Sequence, residues 1–288
     1  MNRLARYILP AFFTLIVLNA FVWHTLVTGL PAETSSLHFL DVGQGDATLI
    51  RLPGDVSVLT DAGPDRSAVA AISAVLPAAR HYIDVGIITH PQRDHYGGFA
   101  DLLRHYRFGA IISNGRNAES GSEAWNSLLK KIGEADIPFV VLGGGARIRY
   151  RDSAVEFLAP DGAFLKSKEL NDTGLVSLVR TSGFSALLTA DTGTRVEEFL
   201  VRAGTPLHAD ILKVGHHGSK YSSGKSFLQA VHPLAALIGV GRNSYGHPTK
   251  ETLARLDATA IPATLRTDER GTISIVPEGG KLKIYTER

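Results

Sequence analysis

The chain alternates short apolar runs with segments of helical spacing, and this alternation recurs in both halves of the sequence. In the first half, Ser67 to Ala79 has the spacing of a helix and Tyr82 to Thr89 that of a buried strand. In the second half, Leu175 to Thr181 predicts a strand and Thr194 to Ala203 a helix. Two β-rich halves with helices on the outside predict an α/β fold, a four-layer α/β/β/α sandwich.

The N-terminal segment differs from this pattern. Arg3 and Arg6 precede a mostly apolar run from Tyr7 to Val27, which as a helix would be roughly 30 Å long and could cross a bilayer. Because the arginines lie before the run, the positive-inside rule places the remainder outside the cytoplasm. We therefore predict a single-pass transmembrane helix in the inner or plasma membrane. The alternatives are a cleaved signal segment, followed by secretion, and a buried core helix.

The domain boundaries follow from this division. Residues 1–30 are expected to form the anchor or signal segment, residues 31–36 a short linker, and residues 37–288 a single folded domain. The hydrophobic content of 44% is sufficient for a full core in the last of these.

The composition limits the chemistry that the chain can perform. Cysteine is absent, which excludes disulfides, thiolate metal ligands and a cysteine nucleophile. Any metal must therefore be bound by imidazole and oxygen, and the chain has 11 histidines. The 30 basic and 28 acidic residues nearly balance, so the overall charge requires neither nucleic acid nor an acidic partner.

Histidine and aspartate side chains follow the predicted buried strand. The loop reads His90-Pro91-Gln92-Arg93-Asp94-His95, with two glycines behind it. Imidazole and carboxylate groups at this spacing suit a divalent metal, and the glycines allow the backbone to turn tightly. The alternative interpretation is a polar surface loop with two histidines.

Three further loops carry residues of the same chemistry. His216 and His217 follow an apolar strand and are either a source of a metal ligand or a hydrogen-bonded structural pair. Asp191 lies between a strand and a helix and is either a helix N-cap or a carboxylate ligand. His247 precedes a helix and could be a ligand, a proton donor, a substrate contact or part of the helix entry.

Several motifs together resemble the metallo-β-lactamase superfamily and, within it, the extracellular hydrolase domain of the ComEC family of DNA-uptake competence proteins. They match in order and spacing, and the resemblance extends from Leu37 to Ile284. Asp-Val-Gly-Gln-Gly-Asp and His-His-Gly-Ser are specific to this branch, whereas the metal loop alone indicates only the superfamily. The segments that carry the resemblance are 40–47, 60–63, 89–98, 171–173, 188–191, 212–219 and 245–248.

The resemblance implies a set of metal ligands. Asp191 would be the bridging carboxylate, and the later histidine would come from the His216–His217 pair, with His216 slightly favoured. Asp61 would orient the metal loop, as ligating histidines usually require. Asp41, Gln44 and Asp46 are expected to shape the first turns or to contact the substrate. The full ligand set is His90, Asp94, His95, Asp191 and either His216 or His217.

The sequence departs from the superfamily pattern at one metal position. Gln92 replaces the usual second histidine, and a neutral amide is a poor zinc ligand. Asn171 and Asp172 stand where a separate third histidine is usual. We therefore expect one or two divalent ions, zinc or manganese, with magnesium as a further option.

The function predicted from this resemblance is metal-dependent hydrolysis of a phosphodiester, in DNA or in another extracytoplasmic molecule. Asp94 or Asp191 would hold the attacking water, and His247 or Lys213 would protonate or screen the departing oxygen. The N-terminal helix would make the membrane a partner, and the sequence indicates no protein partner. The alternatives are hydrolysis of a lactone, β-lactam or thioester on the same fold, and a metal-poor surface protein that binds without catalysis.

Overall fold

Two mixed β-sheets form the centre of the protein in a computed structural model, which describes residues 5–28, 33–118 and 122–288. The strands within these residues are β1 (Ser36–Phe39), β2 (Thr48–Leu52), β3 (Val56–Thr60), β4 (Tyr82–Ile88), β5 (Arg107–Ser113), β6 (Phe139–Val141), β7 (Arg147–Tyr150), β8 (Ser153–Ala159), β9 (Val176–Arg180), β10 (Ser185–Leu188), β11 (Ile211–Lys213), β12 (Ala235–Ile238), β13 (Ala263–Arg266), β14 (Ile273–Glu278) and β15 (Lys281–Thr286). The first sheet has the order β15-β14-β1-β2-β3-β4-β5-β6, and the second has the order β13-β12-β11-β10-β9-β8-β7.

The helices follow the strands along the chain, and several of them cover the outer faces of the two sheets. Within the described residues they are α1 (Ala5–Thr28), α2 (Ser67–Val75), α3 (Arg93–Tyr96), α4 (Phe99–Leu102), α5 (Glu123–Glu134), α6 (Thr194–Arg202), α7 (Lys225–Val231), α8 (Lys250–Ala258) and α9 (Thr267–Arg270). Short 3-10 turns lie at Phe164–Lys166, Leu170–Thr173 and Gly215–Gly218.

Three hydrophobic clusters separate four layers. One joins the first sheet to α2, α4 and α5, a second fills the space between the sheets, and a third joins the second sheet to α6, α7 and α8. Leu187 belongs to the outer cluster and its neighbour Leu188 to the cluster between the sheets, because successive residues of a strand face opposite sides. The predicted α/β fold with two sheets is confirmed.

Two details of the prediction differ from the structure. Helix α2 ends at Val75 rather than Ala79, since Leu76 is extended, with ψ of 147°, and the following Pro77 disfavours the helical conformation of the residue before it. Strand β7 was not predicted, although Arg147 to Tyr150 alternates charged with apolar residues as an edge strand does.

The parallel strands determine where the functional loops lie. Strands β3, β4 and β5 are parallel, and so are β10, β11 and β12. The carboxyl ends of parallel strands lie at the same edge of a sheet. The loops after β4, β10 and β11, which carry most of the predicted site residues, therefore emerge at the carboxyl edges of the two sheets.

The predicted N-terminal anchor requires correction. Over the part of the chain that the structure describes, none of the helices combines the length and the apolar character that crossing a membrane requires. The prediction of a single-pass transmembrane helix, and of the membrane location derived from it, was therefore wrong. The run that carried it contains Pro10, Thr14 and Asn19, and the Thr14 hydroxyl donates to the Pro10 carbonyl at 3.0 Å. Arg3 and residues 29–32, which also entered the prediction, lie outside the described residues.

Candidate metal centre

The predicted metal residues meet in one place, where the loops after β4, β10 and β11 converge. Helix α3 carries Asp94 and His95, the turn after β10 carries Asp191, and the turn after β11 carries His217. His95, Asp191 and His217 are each at most 2% exposed. Because charged and polar groups are rarely buried without partners, this arrangement requires compensating contacts or a bound ion.

Four potential ligand atoms face one another in this cluster. The Asp191 Oδ2 atom lies 3.3 Å from His95 Nε2 and 3.3 Å from His217 Nε2. The Asp94 Oδ2 atom lies 3.3 Å from the same nitrogen of His217. His95 Nε2 is buried and has no hydrogen-bond partner. Two imidazoles and two carboxylates around an unsatisfied nitrogen fit a divalent metal ion.

Both imidazoles are oriented by contacts on their far sides. His95 Nδ1 lies 2.7 Å from Asp61 Oδ2, and His217 Nδ1 lies 2.7 Å from the Gly239 carbonyl oxygen. A carbonyl oxygen can only accept, so His217 Nδ1 carries a proton and Nε2 is the ring nitrogen that can face a metal. The same reasoning applies to His95 beside the Asp61 carboxylate. Such outer contacts are what metal-bound histidines require.

The carboxylates make the cluster attract positive charge. Burial alone would lower the pKa of His95, but the Asp191, Asp61 and Asp94 carboxylates raise it well above its ordinary value. For His217, burial also acts to lower the pKa, and Asp191 and Asp46 outweigh it. Protons compete with a metal for imidazole nitrogens, so a metal ion bound here would replace these protons.

Asp46 belongs to the buried cluster, although the sequence predicted for it only a turn or a substrate contact. Asp46, His95, Asp191 and His217 each place one potential ligand atom within 4.8 Å of the others. However, Asp46 approaches the far sides of the rings, with Oδ1 3.5 Å from His217 Nδ1 and Oδ2 3.9 Å from His95 Nδ1. Asp94, and not Asp46, therefore lies on the Nε2 side of His217.

Lys213 contacts two buried carboxylates of the cluster, those of Asp46 and Asp191. Its Nζ atom forms an ion pair with Asp46, donates to the Ala190 carbonyl at 2.5 Å and lies 3.4 Å from Asp191 Oδ1. Burial alone would lower the pKa of Lys213, but the Asp46 and Asp191 carboxylates raise it, so the side chain remains charged. Its side chain is only 4% exposed. A cation in this position cannot reach a departing oxygen in the pocket, so the predicted role of Lys213 as a proton donor needs revision.

His216 and His217 take different positions. His217 Nε2 lies 3.3 Å from Asp94 Oδ2 and 3.3 Å from Asp191 Oδ2. His216 Nε2 is 3.9 Å from Asp191 Oδ2, and its side chain is 32% exposed. The Asn171 side-chain amide lies 3.3 Å from the His216 ring nitrogens. The slight preference for His216 as the ligand therefore gives way to His217.

His90 occupies the neighbouring position with Gln92. The Thr89 hydroxyl donates to Asp61 Oδ2 at 2.8 Å and therefore accepts from His90 Nδ1 at 3.0 Å. The Nε2 atom of His90 lies 3.0 Å from Gln92 Oε1. Burial, followed by the charge of His95, lowers the pKa of His90 to about 3, so the ring is neutral. An imidazole and an amide oxygen thus lie beside the cluster as a second, weaker pair of potential metal ligands.

The remaining predicted residues lie at the periphery. Asp172 accepts from Arg195 Nη1 at 3.0 Å and from the Ser167 hydroxyl at 3.1 Å, so its carboxylate is engaged away from the cluster. His247 lies across the pocket, with its ring 5.4 Å from that of His216 and its Nδ1 atom buried without a partner. Burial, followed by the charges of the two neighbouring histidines, lowers the pKa of His247.

A pocket of about 760 Å³ opens over the cluster. Asp94, Asp191 and His217 lie in its wall, and so do Arg93 and Tyr245. Its volume is within the range of pockets that hold small molecules. The buried ligand atoms are therefore accessible from a cavity that can accommodate a substrate.

Comparison with known proteins places the chain among relatives that are much longer. Residues 40–242 match the family described as the metallo-beta-lactamase superfamily. ComE operon protein 3 of Bacillus subtilis (strain 168) is 30% identical over 84% of this chain and 33% of its own length. Competence protein ComA of Neisseria gonorrhoeae is 30% identical over 89% of this chain and 35% of its own length. The chain thus spans about a third of the length of these relatives, and the matches confirm the resemblance predicted from the motifs.

A solved structure gives the same fold. The metallo-beta-lactamase fold protein YhfI from Bacillus subtilis superimposes with a TM-score of 0.57, covering 83% of this chain and 99% of YhfI, at 12% sequence identity. At this identity the likeness concerns the fold alone.

Proposed function

The chain belongs to the metallo-beta-lactamase superfamily, and from this premise we propose that it is a metal-dependent hydrolase acting on phosphodiesters. The observation that carries the proposal is the buried, unpartnered His95 Nε2 atom beside Asp191, with Asp94 and His217 completing the set. These four residues would hold the ion. A bound divalent ion would activate a water molecule and polarise a phosphoryl oxygen.

The side chains of the pocket supply the remaining steps. Asp94 has 34% of its side chain exposed and points into the cavity, so its carboxylate can accept a hydrogen bond from the attacking water and hold it in place. His247 faces the same cavity with a lowered pKa, so its neutral ring would donate a hydrogen bond to the departing oxygen rather than a full proton. Arg93 would contact a non-bridging phosphate oxygen.

The choice of a phosphodiester over a lactone or β-lactam rests on the relatives. One of them is named a competence protein, and DNA is the phosphodiester that the family resemblance suggests. The fold alone would be compatible with acyl substrates. DNA is therefore the first natural substrate to test.

The test is a hydrolysis assay with zinc, manganese or magnesium and a panel of substrates: bis-p-nitrophenyl phosphate, single- and double-stranded DNA, nitrocefin and an acyl lactone. We expect turnover of the phosphodiesters only. Asp94→Ala and Asp191→Ala should each lower the rate by at least ~100-fold, because each removes a metal ligand. Asp101→Ala, in α4 and outside the cluster, is the control and should retain activity.

Two outcomes would contradict the proposal. Hydrolysis of nitrocefin or the lactone without any phosphodiester cleavage would assign the centre to acyl substrates. Absence of both turnover and bound metal after reconstitution would favour a non-catalytic binding protein.

A further inference from the structure

Lys213 is an unusual residue for its position. Strand β11 lies between β10 and β12 in the middle of the second sheet, and all three of its residues are buried. A lysine is rarely buried unless it is paired. The pairing here is with Asp46 and Asp191, so the ammonium group is part of the metal centre itself.

The two oxygens of Asp191 are divided between this ammonium and the imidazoles. Oδ1 lies 3.4 Å from Lys213 Nζ, while Oδ2 lies 3.3 Å from the Nε2 atoms of His95 and His217. A carboxylate that bridges two ions commonly gives one oxygen to each. In this chain one of the two oxygens already faces a fixed positive charge.

The neighbouring ligand pair has no carboxylate of its own to compensate for this. His90 Nε2 and Gln92 Oε1 belong to an imidazole and an amide, and neither group carries a negative charge. Asp94 faces His217, and Asp172 is engaged with Arg195. A second divalent ion would therefore depend on the oxygen of Asp191 that Lys213 holds.

We propose that Lys213 is a positioning residue that restricts the centre to one tightly bound divalent ion. Its ammonium group turns Asp191 so that only Oδ2 serves a metal, and it supplies the positive charge that a second ion would otherwise bring. The inference rests on the proposed metal-dependent function and adds to it the number of ions and the residue that sets that number.

The test counts bound ions in the full chain. Metal-free protein is dialysed against Mn²⁺, and the bound metal is measured by elemental analysis and by electron paramagnetic resonance. The variants are Lys213→Met, which removes the cation, and Asp46→Asn/Lys213→Met, which removes a charge of each sign and so avoids an unbalanced buried carboxylate. Lys130→Met makes the same substitution at an exposed position of α5 and is the control.

We expect one Mn²⁺ per chain, with an uncoupled spectrum, for the wild type and for Lys130→Met. In the double variant the count should rise toward two, with a spectrum of two coupled ions. Two tightly bound, coupled ions in the wild type would overturn the inference while leaving the metal-dependent hydrolase intact, and this result does not depend on whether the variants fold. A folded double variant that still binds one ion would also overturn it. A wild type that binds no ion would instead refute the proposed function.

Discussion

Asp61 offers a direct test of how the metal centre is organised, because its carboxylate accepts three hydrogen bonds. Oδ1 accepts from the Thr89 backbone N–H at 2.9 Å, and Oδ2 accepts from the Thr89 hydroxyl at 2.8 Å. Oδ2 also accepts from His95 Nδ1 at 2.7 Å. The last contact keeps the proton on Nδ1 and leaves Nε2 free for a metal.

Asp61→Asn should break this arrangement without disturbing the backbone. Asp61 has a φ of 58°, a left-handed conformation that asparagine tolerates well. An amide has one acceptor, so it cannot face both Thr89 N–H and His95 Nδ1 with oxygen. If the amide nitrogen faces His95, the ring must accept at Nδ1 and carry its proton on Nε2, the atom that should bind the metal. If the amide nitrogen faces Thr89, two donors oppose each other.

Either orientation weakens metal binding. The loss expected for an outer contact of this kind is at the upper end of the ~10–100-fold range, which corresponds to about 2.7 kcal/mol for 100-fold. Calorimetric titration of the metal-free protein with Mn²⁺ or Zn²⁺ measures it. The matched control is Asp84→Asn, since Asp84 also accepts from a backbone N–H and a hydroxyl, both of Ser57, but lies outside the centre. Metal affinity of Asp61→Asn within about threefold of the wild type, in a protein with unchanged circular dichroism, would refute this reasoning.

Three further predictions concern the two histidines after β11, a buried glutamate of α6 and two glycines. His217→Asn should lower metal affinity by at least ~100-fold, whereas His216→Asn should change it less than about threefold. Asparagine is chosen because both backbones are left-handed. Equal losses of affinity, measured by titration, would argue against the assignment of His217 as the ligand. Burial raises the pKa of Glu197 to about 7 from 4.5, so the folded state holds the proton more strongly. The free energy of unfolding should therefore fall by about 3 kcal/mol as pH rises from about 4.5 to 7. Urea denaturation of Glu197→Gln should not show this fall. The same dependence of unfolding free energy on pH in the wild type and in Glu197→Gln would contradict the prediction. Gly98→Ala would drive a methyl group into the Ala62 carbonyl and to 2.7 Å from that of Asp65, at a cost of about 1–3 kcal/mol. Gly133→Ala, where nothing lies within 4 Å, should instead be stabilising, and a thermal melt in which both variants behave alike would count against the close approach.

The strand ends and most of the cluster could be predicted from sequence because local patterns encode them. The apolar run ending at Ile88 determines where β4 stops, and a polar loop after a buried strand must emerge at the edge of its sheet. The spacing from His90 to His95 is likewise a property of one short segment. These features need no knowledge of which distant residues meet.

The distinction between His216 and His217 could not be predicted in this way. Both residues have left-handed backbones, with φ of 48° and 52°, inside a turn that belongs to neither a helix nor a strand. Neither the 3.6-residue nor the 2-residue periodicity applies to such a turn, so the sequence does not indicate which ring faces inward. The Gly239 carbonyl, just after β12, and the carboxylates of Asp94 and Asp191 select His217.

Lys213 illustrates a different limit. Its charge and its place beside the His216–His217 loop suggested an accessible catalytic cation, yet the direction of its side chain depends on partners that lie far away in the sequence. Asp46 reaches it from the loop after β1, and Asp191 from the turn after β10. Spacing within one segment carries no information about such contacts, so the burial of this lysine could be found only in the folded chain.

The glycine-rich turn before β2 links these observations, and it suggests why that motif accompanies the metal loop. A Cβ atom at Gly45 would lie 2.5 Å from the Asp94 carbonyl oxygen, so only glycine allows the turn to pass directly beneath α3. The adjacent Asp46 N–H donates to that same carbonyl at 3.1 Å. The turn therefore supports the metal loop from below and at the same time brings the Asp46 carboxylate to Lys213, behind the two imidazoles. The two motifs are separate in the sequence but act as one structural unit. Asp46 fixes the metal loop through its backbone N–H and balances the charge of Lys213 through its side chain.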